Sequence, residues 1–307
     1  MASTVGTTEA TPLAPVVPKT TRREERKGTY PYWFYLPATI IYTIFFLVPT
    51  FASFYFSFTR WDLFTSTWIG LKNYQTFFAE QALITVGNTL IYAVITSGLK
   101  VVLGMALALL LTSKIIARGY LRSVVFFPVL VSVIGVGLTF TVLMDPEKGL
   151  INNALAVVGI DGPGWLTNPS LALFSIALVD VWKGVGLATV IYIAGLVSIP
   201  QEYYEAAEVD GASRWNIFRN IMLPLARPAT ATVITLSLIG GLRSFDLIWA
   251  MTKGGPGFAS DVIASVIYKQ YQAGFYGLST AGSVVLFLVV TIIVVPLTWW
   301  LNRGEES

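Results

Sequence analysis

The sequence predicts an all-α membrane protein of six transmembrane helices, and three observations predict it. Hydrophobic residues make up 55% of the 307 and charged ones only 12%, against roughly 25% charged in an ordinary soluble domain. Six apolar runs, each near or above the roughly twenty residues that cross the hydrocarbon core as a helix, recur along the chain. Between the fourth and fifth lies a polar island, Pro200 to Pro228, which places charged helical structure outside the bilayer.

Residues 1–29 are rich in Thr, Ala and Pro and end in Arg22, Arg23, Glu24, Glu25, Arg26 and Lys27. Such a composition predicts a disordered tail. The first run, Trp33 to Phe58, is too long for a signal peptide and has no small-residue cleavage site, so it reads as an uncleaved span. The others are expected at Ile84 to Leu111, Leu121 to Leu143, Leu171 to Val197, Ala229 to Met251 and Thr280 to Leu301. Residues 30–303 then form one six-span domain, and 304–307 a short tail. Twelve Lys and Arg residues fall on one side, among them Lys19, Lys114, Arg118, Arg122, Arg214, Arg219, Arg227 and Arg303. Arg60, Lys72, Lys148, Lys253 and Lys269 fall on the other. The positive-inside rule puts both termini and the polar island in the cytoplasm. The outer loops DPEKG (145–149), DGPGW (161–165) and KGGPG (253–257) carry the Gly and Pro of tight turns and read as shaped surfaces.

Cys and His are both absent, which excludes disulfides, thiolate or imidazole metal sites and His-based triads. The net charge of +3 is spread over span ends, and no basic patch for nucleic acid results. No G-x-x-x-x-G-K-[ST] phosphate loop occurs, so the chain has no ATP-hydrolysing motif of that kind.

Within the island, Pro200 suits a helix start and Glu202 and Glu205 place negative charge in the first turn. Gly211 supplies a φ > 0 stop. Ser213 is the expected N-cap of a second short helix, with Trp215, Phe218 and Arg219 at helical spacing and Pro224 and Pro228 interrupting it. The first half is acidic, the second basic, and Ala206 and Ala207 are small enough for a partner surface to come close. This is the chemistry of a docking surface.

Charges inside spans are costly and mark ion pairs, cavities or pathways. Asp180 and Lys183 lie three apart, as do Arg243 and Asp246, so each pair is expected to share a helix face. Lys100 has no such local partner and is expected to reach the interface or another helix. In the fifth span Ser237, Gly240, Gly241 and Ser244 form a small, polar stripe. It reads either as close helix packing or as a lining for a hydroxylated solute. In the fourth, Trp182, Lys183, Gly184 and Leu187 combine an aromatic face, a charge and a gap. Trp33, Tyr35, Trp61, Trp68, Trp249, Trp299 and Trp300 read as interfacial anchors; Trp182 stands apart from them.

Glu205, Ala206 and Ala207, then three residues, Gly211, nine residues, and Ile221 to Pro224 resemble the EAA loop of permease subunits of binding-protein-dependent ABC importers. PTFASFYFSFTRWD (49–62), GLKNYQTFF (70–78), WLTNPSLAL (165–173), WKGVG (182–186) and SFDLIWAMTKGGPG (244–257) are similar to the carbohydrate-uptake branch of that family, first-sibling type. The resemblance implies a type I importer permease fold in a bacterial or archaeal cell membrane. It makes the loop a coupling helix, with Glu202, Glu205, Ala206, Ala207, Asp210 and Gly211 facing a cytoplasmic ATPase dimer. It puts Trp182, Lys183, Gly184, Leu187, Ser237, Gly240, Gly241, Arg243, Ser244 and Asp246 along a pathway for a sugar-like solute delivered by an extracytoplasmic binding protein. ATP and Mg belong to the ATPase, with no cofactor on this chain, and no internal repeat supplies a second half, so a sibling permease is expected. An ion-coupled transporter or passive channel would explain the spans but gives no reason for the loop. A membrane-embedded enzyme would need a carboxylate pair that the spans lack.

Overall fold

The computed structural model describes residues 32–80, 82–113 and 115–303. The tail expected over 1–29 with its basic cluster, Lys114 and the tail 304–307 lie outside the described residues. Two compact units are present, one up to Leu47 and one from Val48.

In the first unit a 3-10 turn, Tyr32–Tyr35, leads into α1 (Leu36–Tyr42) and a π-helical stretch, Thr43–Leu47. Pro37 sits in the first turn of α1, where its missing N–H costs nothing.

In the second unit α2 (Val48–Ser57) ends at an antiparallel hairpin, β1 (Thr59–Trp61) and β2 (Ser66–Trp68), with Arg60 opposite Thr67. There follow α3 (Lys72–Glu80), α4 (Ala82–Thr112), α5 (Arg118–Leu130), α6 (Val133–Leu143), α7 (Leu150–Val157), α8 (Ala172–Val197) and α9 (Gln201–Val209). Then come α10 (Arg214–Ile217), a π-helical stretch Phe218–Met222, α11 (Leu223–Leu225), α12 (Arg227–Leu242), α13 (Asp246–Met251), α14 (Ile263–Gln272) and α15 (Tyr276–Asn302).

Among the described residues, Trp33–Ser57, Leu83–Thr112, α8 and α15 are each long and apolar enough to span a membrane. Counting each of two bent pairs, Arg118–Leu130 with Val133–Leu143 and Arg214–Leu225 with Arg227–Leu242, as one span would give up to six. The expected third span breaks between α5 and α6 with a 97° bend. Val131 and Ser132 are both extended there (ψ 143° and 132°), and Pro128, with no N–H, already weakens the last turn of α5. The expected fifth span ends early: α12 stops at Leu242, Arg243 to Phe245 leave the helix, and α13 resumes at Asp246. Arg243 and Asp246 therefore share no helix face, and no ion pair joins them among the described residues.

The centre of the second unit is α4 packed on α8, with α12 against both. Small residues set the distances. A Cβ on Gly104 would lie 2.8 Å from the Ala188 Cβ, and one on Gly241 2.7 Å from the Ala93 Cα. With lipid as apolar as the helix faces, such backbone approach is a main source of helix attraction. Across the α4–α8 contact, Lys100 Nζ meets Asp180 Oδ2 at 2.8 Å, with side chains 10% and 22% exposed. This corrects the expected Asp180–Lys183 pair. Lys183 instead donates to the Val129 carbonyl at 3.4 Å, while a bare Gly184 lets Lys100 cross α8, since a Cβ there would lie 2.6 Å from Lys100 Cε.

The segments 145–165 and 259–269 are ordered by polar clasps. Asn152 Nδ2 donates to the carbonyls of Pro146 and Pro163 and its Oδ1 accepts from the Trp165 indole at 2.7 Å, joining two of the expected turn-rich loops. The Lys148 and Glu147 backbone N–H groups donate to Asp145 and hold its carboxyl below the usual range. Asn88 Nδ2 donates to the Ala259 and Asp261 carbonyls at 3.1 and 3.0 Å, and Thr89 Oγ1 accepts from the Ile263 N–H. The Asp261 side chain is fully buried, pairs with Lys269 at 2.6 Å and accepts from Ser265. Lys269, expected in a loop, belongs to α14.

Two outcomes follow for stability, both read by denaturant unfolding of the purified protein in detergent. Gly241→Leu overpacks the contact with Ala93 and costs roughly 1–3 kcal/mol, whereas Gly240→Ala, whose Cβ meets nothing within 4 Å, costs nothing measurable. Asp180→Asn strands the Lys100 ammonium and costs about 3 kcal/mol or more, and the paired replacement Lys100→Met with Asp180→Leu recovers most of that loss.

Candidate functional site

Three helices enclose a small cleft. Its walls are Lys100 from α4, Gly184, Leu187, Ala188 and Ile191 from α8, and Val233, Leu236, Ser237 and Gly240 from α12; its volume is about 120 Å³. Four residues expected along a pathway, Gly184, Leu187, Ser237 and Gly240, thus meet in one place. Gly240 is exposed and open in front, while the Ser237 hydroxyl lies 2.7 Å from that of Ser97 on α4. A cleft of this size is below the roughly 300 Å³ of an ordinary ligand pocket. A space of this size has room for only part of a drug-sized molecule.

The other expected pathway residues divide. Gly241 is buried against α4, so of the two readings of the stripe it takes close packing. Trp182 is 44% exposed and its ring lies 5.3 Å from that of Phe140 on α6, away from the cleft. Lys183 turns toward α5. Arg243, Ser244 and Asp246 sit at the break after α12, with Arg243 and Asp246 exposed. The hydroxyl of Tyr92, a fully buried residue, faces Ser244 and Asp180 and makes no hydrogen bond of good geometry among the described residues. Sequence reasoning passed over Tyr92 and Asp180 as a unit with Lys100. The usable signal was that Lys100 has no acid three or four residues away, which forces its partner onto another helix.

The polar island folds as its local chemistry dictates. Pro200 caps α9, Gly211 turns the chain at φ 72°, and Ser213 Oγ accepts from the Asn216 N–H at 3.3 Å to cap α10. Pro224 and Pro228 do not end the helical path; each lies in a first turn, and the chain bends by 66° at Ala226. On α9 the residues Glu202, Glu205 and Ala206 are exposed, as are Asp210 and Gly211 after it, and Gln201 donates to Glu205 Oε1 at 2.9 Å. Ala207 differs from the expectation that both alanines face outward: it is 8% exposed. Tyr204, three residues earlier, is half-buried against the cluster formed by Leu196, Ile199, Ala226 and Ala229, and burial raises its phenol pKa. So α9 has an inner face of Tyr204 and Ala207, a turn apart, and an acidic outer face. The loop joins the end of α8 to the start of α12, the two helices that supply most of the cleft lining.

Comparison with known proteins agrees with this architecture. Residues 100–304 match the model of the family described as "Binding-protein-dependent transport system inner membrane component". The trehalose/maltose transport system permease protein MalF of Thermococcus litoralis is 33% identical over 88% of this chain and 93% of its own length. The arabinooligosaccharides transport system permease protein AraP of Bacillus subtilis is 31% identical over 87% of each. Among solved structures, a chain of a bacterial ABC transporter involved in alginate import superposes with a TM-score of 0.78 at 27% identity, covering 89% of this chain and 94% of that one. A second structure of an alginate ABC transporter, in complex with an alginate pentasaccharide-bound periplasmic protein, gives 0.75. Bent helical spans and a capped, acidic loop between the two walls of a cleft are what this family's sequence pattern builds here, and the chain belongs to the inner-membrane components of binding-protein-dependent transport systems, with the type I ABC importer permease fold.

Proposed function

We propose that the chain is one of two permease halves of an ATP-driven importer for a sugar or sugar-like solute, loaded from an extracytoplasmic binding protein. The observation that carries this reading is the position of α9, an exposed acidic helix that follows α8 and opens the loop returning through α10 and α11 to α12. A partner that grips α9 pulls on both helices that wall the cleft. The inner face of α9, through Tyr204 and the cluster around Tyr192, Leu196 and Ala226, makes the loop move with its two spans instead of swinging freely. Rigid elements joined in this way convert a shift at one end into altered access at the other.

Glu202, Glu205 and Asp210 supply charge for a basic surface of a cytoplasmic ATPase, Ala206 permits close approach, Ala207 anchors the helix inward, and Gly211 makes the turn. ATP and Mg reside on that ATPase. With Lys100 engaged by Asp180, the cleft offers hydroxyl and apolar surface more than net charge, which suits a neutral polyol ring. Its size calls for a sibling permease to complete the pathway. The names of the relatives, several of which carry sugars, oligosaccharides or an acidic polysaccharide, support the substrate class. Both termini and the loop lie in the cytoplasm in this reading, from the distribution of Lys and Arg.

Affinity purification of the tagged chain from its native host in mild detergent is expected to recover a second permease and an ATPase, with Glu205→Lys losing the ATPase alone. Recovery of neither, together with solute uptake independent of ATP, would identify an ion-coupled transporter or channel instead. In vesicles carrying the complete assembly, Gly240→Leu is expected to cut uptake at least about tenfold by filling the cleft while leaving unfolding unchanged; uptake equal to wild type would remove the cleft from the pathway.

A further inference from the structure

A second cleft lies where α11 meets α12, outside the path assigned to solute. Arg219, Arg227, Leu223, Ala231, Trp300 and Leu301 line about 600 Å³ of open space. We propose that it binds an anionic phospholipid, with the headgroup phosphate held between Arg219 and Arg227.

Four features point there. Both arginines are exposed, and neither belongs to an ion pair among the described residues, where the two pairs are Lys100–Asp180 and Lys269–Asp261. Two guanidinium forks without carboxylates suit a phosphate, which they grip in bidentate fashion, and their weak hydration lowers the cost of doing so. The cleft also stands at headgroup depth. Arg227 opens α12 and Trp300 lies in the last turn of α15, so both are at span ends, and the neighbouring Trp299 stacks under Arg303 at 3.4 Å, an amphipathic pairing suited to the bilayer interface. Below the arginines the wall is apolar: Leu223, Ala231 and Leu301 offer a surface for an acyl chain. An acidic peptide would use the two charges and leave that wall unmatched. Free phosphate would leave it equally unused.

The position gives the ligand a consequence. The cleft lies on the 66° bend between the Arg214–Leu225 arm and α12, the link through which the polar loop reaches the fifth span. A lipid seated there braces the bend.

The test is native mass spectrometry of the full chain in mild detergent, titrated with phosphatidylglycerol, phosphatidylcholine or inorganic phosphate. Wild type is expected to hold one phosphatidylglycerol about tenfold or more tighter than phosphatidylcholine, in line with the contribution of two basic residues at an anionic surface. Arg219→Gln with Arg227→Gln abolishes that preference, while Arg60→Gln with Lys72→Gln, which removes two cations elsewhere, preserves it. Should the double variant fail to fold, wild type alone decides: the preference falls as salt rises from 0.1 to 1 M and the screening length drops from about 10 to 3 Å. Equal binding of the two lipids, an unaltered preference in Arg219→Gln with Arg227→Gln, or competition by inorganic phosphate at the lipid's own concentration overturns the proposal. So does loss of a co-purified protein subunit from that variant without loss of lipid preference, which would assign the arginines to protein carboxylates.

Discussion

The contact between α4 and α8 is the constraint from which the rest of the second unit takes its geometry. Two things fix it: glycine and alanine faces that bring the backbones together, and a single ion pair, Lys100 with Asp180. In lipid the pair is difficult to open, because each charge released would face hydrocarbon or its own desolvated surroundings. Lys100 passes over Gly184 to reach Asp180, where a Cβ would come within 2.6 Å of its Cε.

On that base the loop between α8 and α12 has two faces with different duties. On α9 the inner residue Tyr204 packs on the core cluster of the spans, and the outer residues are exposed and acidic. The capping is local and strong: proline before α9, a left-handed glycine after it, a serine hydroxyl at the start of α10. The result is a stiff projection whose root is packed between two spans. In the proposed importer this stiffness is what lets a force applied outside the bilayer arrive inside it.

Much of this was legible because it is local. Pro200, Gly211 and Ser213 act on their own backbone within a few residues, so their roles could be read without tertiary information. Span positions were legible for a similar reason: hydropathy averages over a window. The bends were not, since Val131–Ser132 and Arg243–Phe245 differ from helix in φ and ψ and not in polarity. In-span pairing failed for Asp180 because spacing of three along one helix favoured Lys183, while the actual partner lies eighty residues away. The resemblance implied a pathway role for Trp182 and Gly241, and their neighbours, Phe140 and Ala93, come from other helices that no local spacing reveals. The hairpin Thr59–Trp68 and helix α14 were not legible because three-residue strands and a ten-residue amphipathic helix are too short to register in a span-length average of hydropathy.

The clasp at Asn88 and Thr89 carries a consequence for how the molecule is made. Asn88 is satisfied by carbonyls 171 and 173 residues further along, and Thr89 by an N–H 174 residues on. Synthesis proceeds from the amino terminus at about 5–20 residues per second, so these groups spend at least several seconds of translation with their eventual partners not yet in existence. The second span must therefore enter the bilayer with the end that carries Asn88 and Thr89 still wet. Closure of that end is a late event: a chain truncated before Ala259 has every residue of its cleft and its polar loop but none of the groups that later meet Asn88 and the Thr89 hydroxyl from the far side.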